Sequence, residues 1–178
     1  MYQPHRPLRL TALIVTLLAT AGAPRARAEA PPDGPVTVWQ IGRQGDGPAD
    51  LALGESDRYA AYLERFPGAV RFAVGSSDPA RDFPYIHPGP MDQWAGARAH
   101  EFTIAFELDE EPSGAFLFLA HIARSHYAYP PVLRVTLNGT SIGQIVTEPD
   151  GHRQDRYLPL PAPALRRGAN ELRIENPD

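Results

Sequence analysis

The chain has 178 residues, with 17 Arg, 21 acidic residues, six His, no Lys and no Cys, and a formal charge of −4. It therefore has no disulfide, no thiolate metal site and no cysteine nucleophile. The acidic balance also argues against nucleic acid or an anionic membrane surface as partner.

Two basic residues, Arg6 and Arg9, precede an uncharged apolar run over 10–23, and Ala26-Arg27-Ala28 follows. A basic head, a short apolar middle and a small-x-small site read as a secretory signal peptide over 1–28. The run is shorter than the roughly 20 residues of a membrane span. An uncleaved anchor is the alternative. The leader holds four of the 17 basic residues and none of the 21 acidic ones, so the remaining 150 residues carry −8. An exported chain without disulfides rests on its core alone, and 150 residues can supply one. Eukaryotic secretion more often leaves disulfides behind, so the expected location is a bacterial periplasm or medium, with no membrane span once the leader is removed.

Residues 29–35 read as a flexible polar leader, and the domain is expected over 36–178. Val36–Ile41 alternates as a first strand. Tyr59, Tyr62, Leu63 and Phe66 stand at helical spacings over 58–66, and a short strand is expected at 69–74. Residues 75–96 carry Pro79, Pro84, Pro88 and Pro90 with few regular signals, and are expected as a long ordered loop packed by Phe83, Tyr85 and Trp94.

The clearest β pattern follows. Phe102, Ile104, Phe106 and Leu108 share one face, residues 109–114 turn, and 115–122 is apolar except for His121, as in a central strand. His121 is expected as a hydrogen-bonded interior residue. Leu133, Val135 and Leu137 alternate toward Asn138-Gly139, the strongest hairpin signal in the chain, which leads into 142–146. Residues 157–160 and 172–174 are the last expected strands. The last is read either as a domain that stops short or as an edge strand. Short strands at this spacing predict an all-β sandwich of two antiparallel sheets.

No zinc-binding His-Glu-x-x-His, phosphate-cradling glycine loop or nucleophile elbow is present. No cofactor or metal is expected, and Asp109, Glu110 and Glu111 read as a solvated turn. A hydrolytic or lyase centre would have to draw on a constellation such as His87, Asp92 and His126. A sugar-binding surface needs an aromatic platform for the apolar ring face and polar groups for the hydroxyls. The platform candidates are Tyr127, Tyr129, Tyr85 and Trp94. Arg124, His126, Arg98, Asp92 and Asn138 supply polar groups. Tyr127, Tyr129, Arg124, His126, Trp94 and Asp92 form the expected ligand set.

Val38-Trp39-Gln40-Ile41-Gly42-Arg43, then Asp46 and Ala49-Asp50, Phe66-Pro67 and Phe72-Ala73-Val74-Gly75-Ser76-Ser77-Asp78 resemble the opening of the third domain of rhamnogalacturonan lyases, polysaccharide lyase family 4. Trp94, Phe102-Thr103-Ile104-Ala105-Phe106, Leu133-Arg134-Val135-Thr136-Leu137-Asn138-Gly139 and Leu165-Arg166-Arg167-Gly168-Ala169-Asn170-Glu171-Leu172 continue it in order. The resemblance implies a galactose-binding-like jelly roll. It also implies an accessory role, either binding pectin-like polysaccharide or serving as a structural or protein-contact module beside a catalytic domain. Lyase chemistry in that family sits in a separate, preceding domain. The family commonly adds a closing strand after the Gly-x-Asn segment, so the resemblance also implies a domain truncated at its C-terminus.

Overall fold

The computed structural model describes residues 13–20, 35–43, 48–54, 59–126, 128–149 and 153–178. Nine described strands form two sheets: β1 (Leu13–Thr20), β2 (Val36–Ile41), β3 (Val70–Ala73), β4 (Glu101–Leu108), β5 (Ala115–Ile122), β6 (Val132–Leu137), β7 (Thr140–Val146), β8 (Gln154–Leu160) and β9 (Gly168–Glu175). One sheet runs β2-β1-β5-β8 and the other β3-β4-β9-β6-β7. The fold is an all-β sandwich.

The alternation read from the sequence becomes burial. Phe102, Ile104 and Phe106 of β4, Leu133, Val135 and Leu137 of β6, and Leu172 and Ile174 of β9 meet Trp39, Ile41, Phe116, Phe118, Ala120 and Ile122 in one core cluster. Asn138 and Gly139 both take positive φ, 50° and 80°, the geometry of a tight primed turn between β6 and β7. Pro159 lies in β8, whose only ladder partner among the described strands is β5, and an edge strand is where a sheet tolerates proline.

Four features differ from the expected pattern. β3 pairs with β4 in parallel, Val70 opposite Phe102 and Ala73 opposite Ala105, so the second sheet is mixed. Residues 75–100 form the crossover that a parallel pair requires. That segment also holds a short helix, α1 (Pro79–Asp82), whose cap is built from Asp78: its Oδ1 accepts from the Ala80 N–H, while Asp82 Oδ2 accepts from the Asp78 N–H. Asp-Pro, an N-cap acid followed by proline at the first helical position, is a helix-start signal that the proline count obscured, and here the reciprocating acid, Asp82, stands four residues after the cap. β9 is not an edge strand. It lies between β4 and β6, with eight register pairs to β4. Finally, Leu13–Thr20, inside the segment read as a leader, pairs as a strand between β2 and β5.

The long crossover is packed down by its own aromatics. Phe83 stands edge-on to Phe72 and Phe102 at 5.6 and 5.5 Å, and Tyr85 is buried. Ala52 ties the loop to the preceding segment through an N–H to the Phe83 carbonyl and a carbonyl to the Tyr85 N–H, both 3.0 Å. At Gly89 the chain passes against its own C-terminal residues: a Cβ there would stand 2.3 Å from the Asp178 carbonyl oxygen and 2.6 Å from Asn176 Nδ2. Gly89→Ala is therefore expected to destabilise the fold by about 1–3 kcal/mol, measured by urea denaturation, as overpacking against backbone does. An unchanged midpoint would mean that the 176–178 segment moves aside freely.

Candidate functional site

The expected ligand set falls into two groups. Asp92 and Trp94 belong to the crossover and are spent there. Asp92 Oδ1 accepts from the indole N–H of Trp94 at 3.0 Å, and its Oδ2 from the Gly89 N–H at 2.8 Å. The Trp94 ring meets Tyr62 edge-on at 5.8 Å and is partly buried against the core. This gives Trp94 a packing task instead of an open platform. Tyr85 is buried in the core, Arg98 donates to the Pro67 carbonyl at 2.7 Å, and Asn138 is engaged in the turn before β7.

His87 and Asp92 likewise work within the crossover. His87 is 1 % exposed, stacks on Phe102 with ring centroids 4.0 Å apart, and donates from Nε2 to the His100 carbonyl at 2.7 Å. Burial holds its pKa down at about 4, so the ring is neutral at neutral pH. His100 donates to the Ala95 carbonyl and its Nδ1 faces the Tyr62 hydroxyl at 3.3 Å. Burial also lowers the His100 pKa and pushes the Tyr62 phenol up. These are fixed, neutral hydrogen-bonding groups that pin the loop. His126, the third member of the expected constellation, serves another loop, where its Nδ1 accepts from the Ala128 and Tyr129 N–H groups at 3.2 and 2.8 Å. Among the described residues, no three His, Asp or Glu side chains converge as a metal-holding group. His121 is buried and hydrogen-bonded through Nδ1 to Asp155, its register partner across β5 and β8.

The second group lies at one end of the sandwich. Arg124 is exposed, and Tyr129, 70 % exposed, stacks on the His126 ring at 5.5 Å and 21°. Tyr127 lies outside the described residues. The Ser125 hydroxyl donates to the Glu148 carbonyl at 2.6 Å, and Thr147 bonds the Pro131 carbonyl through both its N–H and its hydroxyl. This loop is thereby fastened to the end of β7.

Beside it lies an open groove of about 360 Å³, lined by Gln144, Ile145, Val146, Glu148, Arg156 and Tyr157. It forms where β7, an edge of one sheet, meets β8, an edge of the other. The Gln154 amide acts as a surrogate peptide group across that seam: it accepts from the Glu148 N–H at 2.9 Å and donates to the Glu148 carbonyl at 3.1 Å. Arg156 is held in place by four acceptors. They are the Val146 carbonyl at 2.9 Å, Glu148 Oε1 at 2.6 Å, Gln154 Oε1 at 2.8 Å and the Asp155 carbonyl at 3.4 Å. Tyr157 and Val146, each 58 % exposed, supply open apolar surface next to these fixed polar groups. An aromatic face beside a restrained guanidinium, a carboxylate and the Gln144 amide is the arrangement a sugar ring requires.

Sequence reading named the 124–129 loop but not the groove. Tyr157 was visible only as a strand residue, and an Arg-Tyr pair carries no spacing signal. The neighbourhood arises from two sheet edges meeting, which local patterning does not encode.

The family model for the CBM-like domain III of polysaccharide lyase family 4 matches residues 37–177. The chain belongs to this family. The CBM-like domain is accordingly an accessory carbohydrate-binding domain, and its natural partner class is polysaccharide. A search of curated proteins finds no match. Among the described residues, no helix is long and apolar enough to cross a membrane.

Proposed function

We propose that this CBM-like domain is an exported, non-catalytic module that holds pectin-like polysaccharide, with rhamnogalacturonan as the leading ligand, in the groove between β7 and β8. The observation that carries the reading is Tyr157, an exposed ring bordering a groove whose polar groups are already restrained. Restraint matters because sugar hydroxyls gain little from groups that must first be ordered. The groove is open along the surface, which suits a polymer passing across it. Arg156 offers its charge to an acidic sugar, and Glu148 beside it keeps the local balance near neutral. The 124–129 loop, with Arg124, His126 and Tyr129, extends the surface at the groove's end. Its role is delivery, bringing an attached or associated catalytic domain to the substrate.

The test is binding of the purified domain to rhamnogalacturonan and a panel of plant and microbial polysaccharides, by affinity electrophoresis and calorimetry. Tyr157→Ala is expected to weaken binding about tenfold, equivalent to about 1.4 kcal/mol, with unchanged folding. Trp94→Ala is expected instead to lower stability while leaving the affinity of the folded fraction intact. Binding unaffected by Tyr157→Ala would remove the groove from the reading. Absence of binding to every glycan by a folded domain would favour a structural or protein-contact role.

A further inference from the structure

Side chains of β8 alternate between two surfaces. Gln154, Arg156 and Leu160 turn toward the seam and the core: Gln154 bonds Glu148, Arg156 bonds the Val146 carbonyl, and Leu160 is buried. Asp155, Tyr157 and Pro159 turn the other way, onto the outer face of the sheet, in register with His121, Leu119 and Leu117 of β5. Successive residues of that row stand about 6.8 Å apart along the strand, so Asp155 is the charged neighbour of the Tyr157 ring on its own face. Arg156 does not cancel that charge at the ring, because its guanidinium is drawn to the groove side and paired with Glu148.

Asp155 is also fixed in place. Its Oδ1 accepts from Nδ1 of His121. The His121 side chain is 3 % exposed and that of Asp155 is 35 % exposed, so an interior ring anchors a carboxylate that still reaches solvent. An ionised carboxylate has about four acceptor positions, and holding the imidazole does not exhaust them. Such a group accepts strong hydrogen bonds from hydroxyls and repels a second carboxylate. A sugar ring lying on Tyr157 therefore meets a restrained acceptor that treats a neutral residue and a uronate in opposite ways.

We propose that Asp155 is the specificity-determining residue of the Tyr157 site. It accepts from the hydroxyls of the sugar stacked on the ring and requires that sugar to be neutral, leaving a uronate, where the polymer carries one, to Arg156 on the groove side. His121 is a positioning residue that aims the carboxylate. The site thereby selects a polymer in which neutral and acidic residues alternate over one in which every residue is a uronate. The inference rests on the reading of Tyr157 as a sugar platform and adds to it the register in which the polymer lies.

The experiment is calorimetry on the full chain with two oligosaccharides of matched length, one of rhamnogalacturonan and one of galacturonate alone. Wild-type protein is expected to bind the alternating ligand about tenfold more tightly than the all-uronate one. Asp155→Asn is expected to narrow that preference to about threefold, by weakening the first and strengthening the second. His121→Phe, which keeps a ring in the interior but offers no donor, is expected to narrow it in the same direction, a change per folded molecule that a purely structural role would not produce. Wild-type protein that binds both ligands equally would overturn the inference with no variant needed. A preference unchanged in folded Asp155→Asn, with binding still weakened by Tyr157→Ala, would overturn it and leave the platform standing. Binding undiminished in Tyr157→Ala would overturn the platform reading itself, and this inference with it.

Discussion

Lowering the pH from 7.5 to 4.5 is expected to remove about 2–3 kcal/mol from the stability of this domain, through His87. In the fold its pKa is held near 4 by burial, below the ordinary 6.5. In the unfolded chain the ring titrates at its ordinary value. Between those values the unfolded state binds the extra proton, so stability is complete above about pH 6.5 and drains away as pH falls toward 4. The geometry explains the preference. Nε2 donates to the His100 carbonyl, and Nδ1 is buried with no hydrogen-bond partner among the described residues. A proton added at Nδ1 would be a buried donor with nothing to receive it. His100, lowered in the same direction, adds to the slope. Urea denaturation across this range provides the measurement. His87→Phe, which keeps a ring against Phe102, is expected to be less stable at pH 7.5 by about 1 kcal/mol because the His100 carbonyl loses its donor, and to show a flatter profile below pH 6.5. A wild-type profile that is level from pH 7.5 to 5 would contradict a neutral, buried His87.

Where one residue's side chain decides its own environment, the sequence was readable. The alternation of β4 and β6 survives because each apolar residue meets the opposite sheet, and Asn138-Gly139 is legible because the turn needs two positive φ values. His121 was expected inside and hydrogen-bonded, and it is. What escaped depends on partners distant along the chain. The parallel pairing of β3 follows from where 75–100 crosses, and the central place of β9 depends on β4 and β6. Gln154 and Asp155 do not look like strand residues, yet they begin β8: the Gln154 amide stands in for a peptide group and Asp155 answers His121. The same limit applies to the site. Loop aromatics were recognised as a class, but sequence could not separate Trp94, whose indole is held by Asp92, from Tyr157, whose ring remains open. The apolar run at 10–23 satisfies the chemistry of a leader and of a central strand alike, because both call for uncharged apolar residues.

Replacing Asn170 is expected to be the most damaging single polar substitution away from the histidines. It is buried, and its side chain makes four hydrogen bonds. Oδ1 accepts from the Arg166 N–H at 3.0 Å and from Asn138 Nδ2 at 2.9 Å. Nδ2 donates to the Arg166 and Gly168 carbonyls at 2.7 and 2.9 Å. Asn138 in turn donates to the Ala164 carbonyl and accepts from the Glu171 N–H, so the two amides together stitch the β6–β7 turn to the entry of β9. This explains the Gly-x-Asn segment physically: Gly168 takes a positive φ of 80°, and Asn170 satisfies the backbone which that bend leaves unpaired. Asn170→Ala strands these partners in the interior, and a loss of about 2–4 kcal/mol follows, a fall in melting temperature on the order of 10 °C. Asn170→Asp keeps both acceptor contacts but turns a carboxylate oxygen toward two carbonyls. It is expected to be at least as damaging at pH 7 and to recover part of the difference relative to Asn170→Ala in acid, where a protonated carboxyl can donate. Because Asn138 and Asn170 share a bond, Asn138→Ala combined with Asn170→Ala should cost less than the sum of the two. Full additivity would show that the amides act independently and that the turn and the strand entry are not one network.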